Sequence, residues 1–249
     1  MRWWESLYDG LLAAVLLEPQ TEDELARTAD FVWGVLELAP GARVFDQCCG
    51  LGQLARVMAS RGAEVIGVDQ ASAYVERARR DAEGLRARFE VGDAFAFVAE
   101  PACDGAYNWW TSYGYADDDA ENERMLARAF ESLRPGARYA LDVPNVPGLL
   151  RGFLPSVVTR RAMPEGELVL IRESSIDLAK GVLHKRWTYV LPDGGMVVRP
   201  SAVRLYMPHD MRAAFERAGF EEVALYGSTA GERLALDSPR CIVVGRRPR

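Results

Sequence analysis

Between residues 43 and 143 the chain alternates: five short apolar runs that read as strands are separated by four stretches of helical period. The runs are 43–46, 64–69, 87–91, 104–109 and 138–143, and the intervening helices are expected over 52–61, 71–83, 94–99 and 119–133. Strands joined through helices reach one another by crossovers, so they align in parallel and the helices cover both faces of the sheet. All-helical bundles and β-sandwiches are excluded by this pattern alone. At 249 residues, 49% apolar and 27% charged, the chain has enough material for one large α/β core.

The rhythm changes on either side of this block. Residues 3–17 and 21–38 read as two helices, with Thr21 as N-cap and Glu24 completing a capping box, before Pro40-Gly41 ends the section. After Asn145, the stretches 168–178, 182–191 and 196–206 look like strands. They are joined by Ala179-Lys180-Gly181 and by Pro192-Asp193-Gly194-Gly195, which are hairpin signals. Pro208 opens a helix that stops at Gly219, and strands at 221–227 and 240–246 bring the main sheet to seven. The expected architecture is therefore α/β, a Rossmann-like seven-stranded mixed sheet with helices on both faces. Residues 1–40 form an N-terminal helical cap, 41–145 and 207–249 the core, and 146–206 a small antiparallel β insertion.

In such a sheet, ligands bind at the carboxyl ends of the strands, where the first strand-to-helix turn presents free N–H groups. Here that turn is Phe45-Asp46-Gln47-Cys48-Cys49-Gly50-Leu51-Gly52. Gly50 and Gly52 would let backbone approach a ligand closely, which suits a dinucleotide, a phosphate or an adenosyl cofactor alike. Asp46 narrows the choice, because a carboxylate repels a diphosphate and suits an ammonium or sulfonium group. A P-loop is excluded because no Gly-Lys-Ser/Thr follows. Asp69, ending the second strand, can accept two ribose hydroxyls, a role that NAD would also use. Asp93, within Gly92-Asp93-Ala94, can accept from an adenine amino group.

Asp46-x-x-x-Gly50-x-Gly52, Asp69, Gly92-Asp93-Ala94 and the Leu133-Arg134-Pro135-Gly136 turn together resemble the motifs of class I S-adenosylmethionine-dependent methyltransferases. The resemblance covers about residues 40–145 and the last two strands. Ser112-Tyr113-Gly114-Tyr115, followed by acidic residues, is similar to small-molecule methyltransferases with an antiparallel insertion after strand five. Several of those modify amines or amino sugars in natural-product pathways. The resemblance implies S-adenosyl-L-methionine as cofactor, with Asp46, Gly50, Leu51, Gly52, Asp69, Gln70, Asp93, Ala94 and Asn108 around it. The chain departs from the family at Cys48-Cys49, where Gly-Cys is commoner, and at Gln47, where a small or apolar residue is usual.

Cysteines at 48, 49, 103 and 241 show no Cys-x-x-Cys spacing, and histidine occurs only at 184 and 209, so no metal site is expected. Buried packing thiols are the expected state, although Cys49 at a helix N-terminus invites the alternative of an acidified, reactive thiol. An N-terminal cap folded over the cofactor would bring aromatic rings around the methyl-transfer chamber. Trp4, Trp109, Trp110 and Tyr115 are the expected acceptor-binding residues, and Tyr8 and Tyr113 the expected catalytic ones, each combining a ring with a hydroxyl. His184 would serve as base if the acceptor were an alcohol, whereas an amine needs only to arrive neutral. Scarcity of histidine near the motifs turns the expectation toward N-methylation of a small molecule, with O-methylation and a non-catalytic cofactor-binding scaffold as alternatives.

A net charge of −6 and the lack of an Asn-Pro-Pro-Tyr-like turn argue against nucleic acid as the partner. The apolar stretch 11–17 is too short to cross a bilayer, and the first residues lack a secretion-signal pattern. A cytoplasmic protein without a membrane partner is expected. Exposed edges of the insertion offer a route to a homo-oligomer.

Overall fold

The computed structural model describes residues 2–249. Seven strands build the main sheet: β1 (Arg43–Gln47), β2 (Glu64–Asp69), β3 (Ala87–Val91), β4 (Cys103–Asn108), β5 (Leu133–Pro144), β10 (Glu221–Tyr226) and β11 (Arg240–Arg246). Their order is β10-β11-β5-β4-β1-β2-β3, with β1 to β5 parallel and β11 running antiparallel between β5 and β10. The order reverses between β1 and β4, so a crevice opens at their carboxyl ends.

Successive strand residues face opposite sides of the sheet, and both sides are apolar. Val44, Val65, Ala140 and Ile242 meet α3 (Glu22–Val35), α4 (Gln53–Ser60) and α5 (Ser72–Asp81) on one side. Their neighbours Phe45, Ile66, Leu141 and Val243 meet α6 (Asp119–Glu131) and α8 (Pro208–Arg217) on the other. The capping box at Thr21 is present: its hydroxyl accepts from Glu24 N at 3.2 Å, and Glu24 accepts from Thr21 N at 2.9 Å.

Four elements differ from expectation. The stretch 3–17 is not one helix but α1 (Trp3–Leu7), α2 (Gly10–Leu12) and a π-helical turn (Ala13–Leu17). Asp9 breaks it, because its carboxylate accepts from the N–H groups of Leu11 and Leu12 at 3.0 and 3.1 Å and starts a new helix there. Residues 94–99 form turns, with the Asp93 carboxylate taking Phe95 N at 2.9 Å in an Asx turn that competes with helix. The insertion opens with a short helix, α7 (Val146–Arg151), and its sheet has four strands rather than three. These are β6 (Ser156–Met163), β7 (Gly166–Asp177), β8 (Val182–Val190) and β9 (Met196–Arg204), in sequential antiparallel order. β6 is the strand the pattern hides: an edge carrying exposed Arg160 and Arg161 lacks clean alternation.

The N-terminal elements lie between the small sheet and the core. Leu7, Leu12, Ala14 and Val15 pack on Leu168, Leu170, Trp187 and Tyr189 of the small sheet, while Trp4 packs into the main cluster. Each large side chain buried this way contributes about 1.5–3 kcal/mol, so this segment fixes the small sheet over the crevice. No helix among the described residues is long and apolar enough to cross a membrane.

Candidate functional site

Two cavities meet over the carboxyl ends of the strands. The smaller, about 50 Å³, is lined by Trp4, Tyr8, Cys48, Asp69, Gln70, Asp93, Ala94, Phe95, Ser112, Tyr115 and Met125. The larger, about 970 Å³, lies under the small sheet, with Trp3, Trp110, Thr111, Asn145, Arg172, Lys185, Trp187 and Arg240 among its walls. Tyr8 and Tyr115 line both. Their hydroxyls hydrogen-bond to each other, their rings stack with centroids 6.1 Å apart, and Tyr115 also donates to Thr111 O at 2.8 Å. Burial and the partner's hydroxyl push the Tyr8 hydroxyl well above an ordinary phenol, and burial raises Tyr115. Both are neutral hydrogen-bonding groups at neutral pH rather than bases.

The first turn gains its shape from Gln47, Cys48 and Cys49. Gln47 is fully buried; its amide donates to Met125 O at 3.0 Å and accepts the Tyr139 hydroxyl at 2.9 Å, tying β1 to α6 and β5. Cys48 takes φ +65°, a left-handed conformation that a glycine would adopt without strain. Cys49 is buried, with its N–H on Val68 O at 2.9 Å. Burial raises both thiols well above their ordinary value, so the acidified thiol entertained for Cys49 is corrected to a protonated packing group.

Of the residues marked for the cofactor, Asp69, Gln70, Asp93 and Ala94 line the smaller cavity. Asp69 accepts Gly50 N at one oxygen and Ala71 N at the other, both at 2.9 Å, which leaves a lone pair on each oxygen for ribose hydroxyls. Asp93 uses only Oδ1 internally. Trp4 and Phe95 supply apolar walls, with ring centroids 6.1 Å apart. An adenosyl group fits this donor and wall chemistry. It exceeds the space, however, since small-molecule pockets run to ~300–1,000 Å³. α1 lies against this cavity through Trp4 and is held by Gln70 Nε2 on Trp4 O at 3.1 Å and by an Arg2–Glu121 ion pair at 2.6 Å.

Asp46, Gly50, Leu51, Gly52 and Asn108 line neither cavity. Asp46 sits behind the turn and accepts the Tyr107 hydroxyl at 3.0 Å; burial lifts its carboxyl to about 8. Gly50, with φ +53° and open space where a Cβ would stand, borders the smaller cavity through its N–H on Asp69. Gly52 meets a packing need: a Cβ there would come 2.7 Å from Ala78 of α5. Leu51 packs with Ala13 and Tyr74, and Asn108 is buried against Gln47 and Cys48.

Among the acceptor-side residues, Trp4 lines the smaller cavity and Trp110 the larger. Trp109, Tyr113 and His184 line neither. Trp109 points to the opposite face of the sheet, 6.1 Å from Phe31 of α3. Tyr113 is core, 5.4 Å from Tyr206, with a buried hydroxyl that has no partner. His184 is on the exposed face of β8, because strand alternation turns Leu183, Lys185 and Trp187 inward.

The loop between β4 and α6 is clamped from below. Asp142, 1% exposed, accepts Trp110 N at 3.0 Å and is gripped by Arg240, whose Nη2 also reaches Thr111 Oγ1 at 2.8 Å. Sequence reading missed Asp142, Arg240, Arg172, Lys185 and Trp187. The last two had a usable signal: Leu183, Lys185, Trp187 and Tyr189 share one face, so a lysine stands on an otherwise apolar side.

Residues 44–136 match a family described as a methyltransferase domain. A demethylmenaquinone methyltransferase of Thermus thermophilus is 37% identical over 135 residues, covering 52% of this chain; the chain spans 59% of that relative's length. The CcbJ methyltransferase of Streptomyces caelestis superposes with a TM-score of 0.81 at 19% identity, over 98% of this chain and 99% of that one. The sugar N-methyltransferase KedS8 from Streptoalloteichus follows at 0.73 and 22%, over 90% and 88%.

Proposed function

We propose that this chain, which has the fold of S-adenosylmethionine-dependent methyltransferases and a methyltransferase domain at residues 44–136, methylates a small-molecule amine. The observation that carries the reading is the Tyr8–Tyr115 pair, which stands between a carboxylate-lined cavity suited to an adenosyl group and a large cavity suited to an acceptor.

Asp69 would hold the ribose hydroxyls, Asp93 the adenine amino group, and Trp4 with Phe95 the purine faces. S-adenosylmethionine supplies an electrophilic methyl group on a sulfonium. The chain's own task is then alignment and exclusion of water. α1 must open to admit the cofactor and close over it with Trp4 and Tyr8. With the Tyr115 proton on Thr111 O and the Tyr8 proton on Tyr115, the Tyr8 oxygen at the junction can accept from an incoming acceptor. Neither histidine lines the larger cavity, and both junction phenols are held neutral, which supports an acceptor that needs no base. The sugar N-methyltransferase among its structural likenesses is consistent with an amine.

The test is transfer of labelled methyl from S-adenosylmethionine to matched amine and alcohol pairs built on the same small scaffolds. Label on the amines alone is the expected result. Label on the alcohols would overturn the choice of nitrogen. Absence of S-adenosylhomocysteine binding by calorimetry would overturn the whole reading, and tight binding without transfer to any member would favour a non-catalytic scaffold.

A further inference from the structure

Among the described residues, three cations on the wall of the larger cavity have no ion pair: Arg151, which is exposed to solvent, and two on the small sheet that are not. Arg172 of β7 and Lys185 of β8 project from the inner face of the small sheet and flank one indole: Arg172 Cζ is 5.6 Å and Lys185 Nζ 5.5 Å from the Trp187 ring centroid. Their neighbours on the same strands and on β9 are provided for. Arg186 pairs with Glu173 at 3.6 Å, and Arg199 pairs with Asp9 at 3.6 Å and donates to Ser6 O at 3.0 Å. Among the described residues, no carboxylate lies within ion-pairing distance of Arg172 or Lys185, and Arg172 Nε is buried without a hydrogen-bond partner. Asp237, which lines the same cavity, is exposed.

Two cations placed around one ring repel each other and lose hydration, and the indole face offsets only part of that cost. Desolvation lowers the proton affinity of both, and Arg172 lowers that of Lys185 further. An anion between them would relieve both penalties at once, since charge-assisted bonds to a planar guanidinium and an ammonium are the strong class.

We propose that Arg172 and Lys185 form a seat for an anionic group, a carboxylate or a phosphate, carried by the molecule that occupies the larger cavity. This rests on the reading of that cavity as the acceptor site, and it adds that the methyl acceptor is an acid as well as an amine. Trp187 provides the apolar floor beside the seat, so an anion attached to a ring or alkyl body is the fitting shape.

The test titrates benzoate, phenyl phosphate and the neutral benzamide into protein with and without S-adenosylhomocysteine. At least one anion is expected to bind about tenfold or more tighter than benzamide, and which one does identifies the group. Arg172→Met and Lys185→Met should each weaken the anion about fivefold, leave benzamide unchanged, and together erase the preference. S-adenosylhomocysteine affinity and the circular dichroism of these variants should match wild type, which separates a lost seat from a lost fold. Equal binding of benzamide, no anion binding, or a preference that survives the double substitution would overturn the seat. Failure of S-adenosylhomocysteine to bind wild type, with the anion preference intact, would overturn the methyltransferase reading and leave the seat standing.

Discussion

Replacing Arg240 by methionine isolates a buried carboxylate. Asp142 lies near the carboxyl end of β5, next to β11, and accepts from Arg240 Nε at 2.6 Å and from Arg240 Nη2, with Trp110 N at 3.0 Å as its other donor. Methionine keeps the stem's bulk and removes both charged donors. Breaking one side of a buried ion pair costs about 3–5 kcal/mol. The Arg240 side chain is 34% exposed, so water screens the pair and partly replaces the lost donors, which puts the expected cost near the lower end, about 3 kcal/mol. The pH dependence follows from direction. Desolvation already holds the Asp142 carboxyl above its ordinary value, and without Arg240 it rises further. A raised acid is protonated in the folded state at low pH. The unfolded state cancels between variant and wild type, so the deficit should be small while Asp142 is protonated in both folded proteins and grow as pH climbs past the wild type's folded value toward the variant's. Urea unfolding of wild type, Arg240→Met, Asp142→Leu and the double variant, at neutral and mildly acidic pH, measures all of this. The double variant should recover much of the loss. A cost under about 1 kcal/mol at neutral pH, or a deficit that does not shrink in acid, would refute the reasoning.

Tyr113→Phe removes a buried hydroxyl that has no partner and should stabilise by about 1 kcal/mol; a lower thermal midpoint would contradict this. His184→Ala changes an exposed side chain outside both cavities, so turnover should hold within about twofold and stability within ~0.5 kcal/mol. Asp46, with its carboxyl lifted to about 8, is mostly protonated near pH 7. If a cofactor ammonium approaches the turn, S-adenosylhomocysteine binding should release up to about one proton there, and affinity should rise with pH up to about 8. Binding enthalpies that do not depend on the buffer's ionisation heat would sink that expectation.

The main sheet was legible because its strands are short, apolar and separated by helices with clear stops. The small sheet was legible in β7 to β9, which are joined by clear hairpin turns, and the basic edge strand β6 left no alternation to read. For the site, motif spacing reached Asp69 and Asp93, which stand at strand ends and line the smaller cavity. It gave no sign that Gly52 also meets a packing need, because a glycine required against Ala78 looks the same in sequence as one required by a ligand. Adjacent tryptophans were read as one wall, yet Trp109 and Trp110 face opposite ways once the backbone turns to φ +62° at Trp110. Arg172 and Lys185 could not be read as a pair because they belong to different strands, and what joins them is the register that sets Arg172 against Trp187.

The position of β11 has a consequence for how the protein is made. It fills the slot between β5 and β10, yet all the other strands precede it in the chain. While the ribosome is still adding residues, β1 to β5 can assemble, but β5 keeps a bare edge, Asp142 lacks its guanidinium and the Trp110–Thr111 loop lacks its anchor. The larger cavity therefore cannot mature progressively during synthesis. It is completed in one late event, when residues 240–246 slide in, and until then the nascent chain presents an open strand edge that a chaperone or a second nascent copy can occupy.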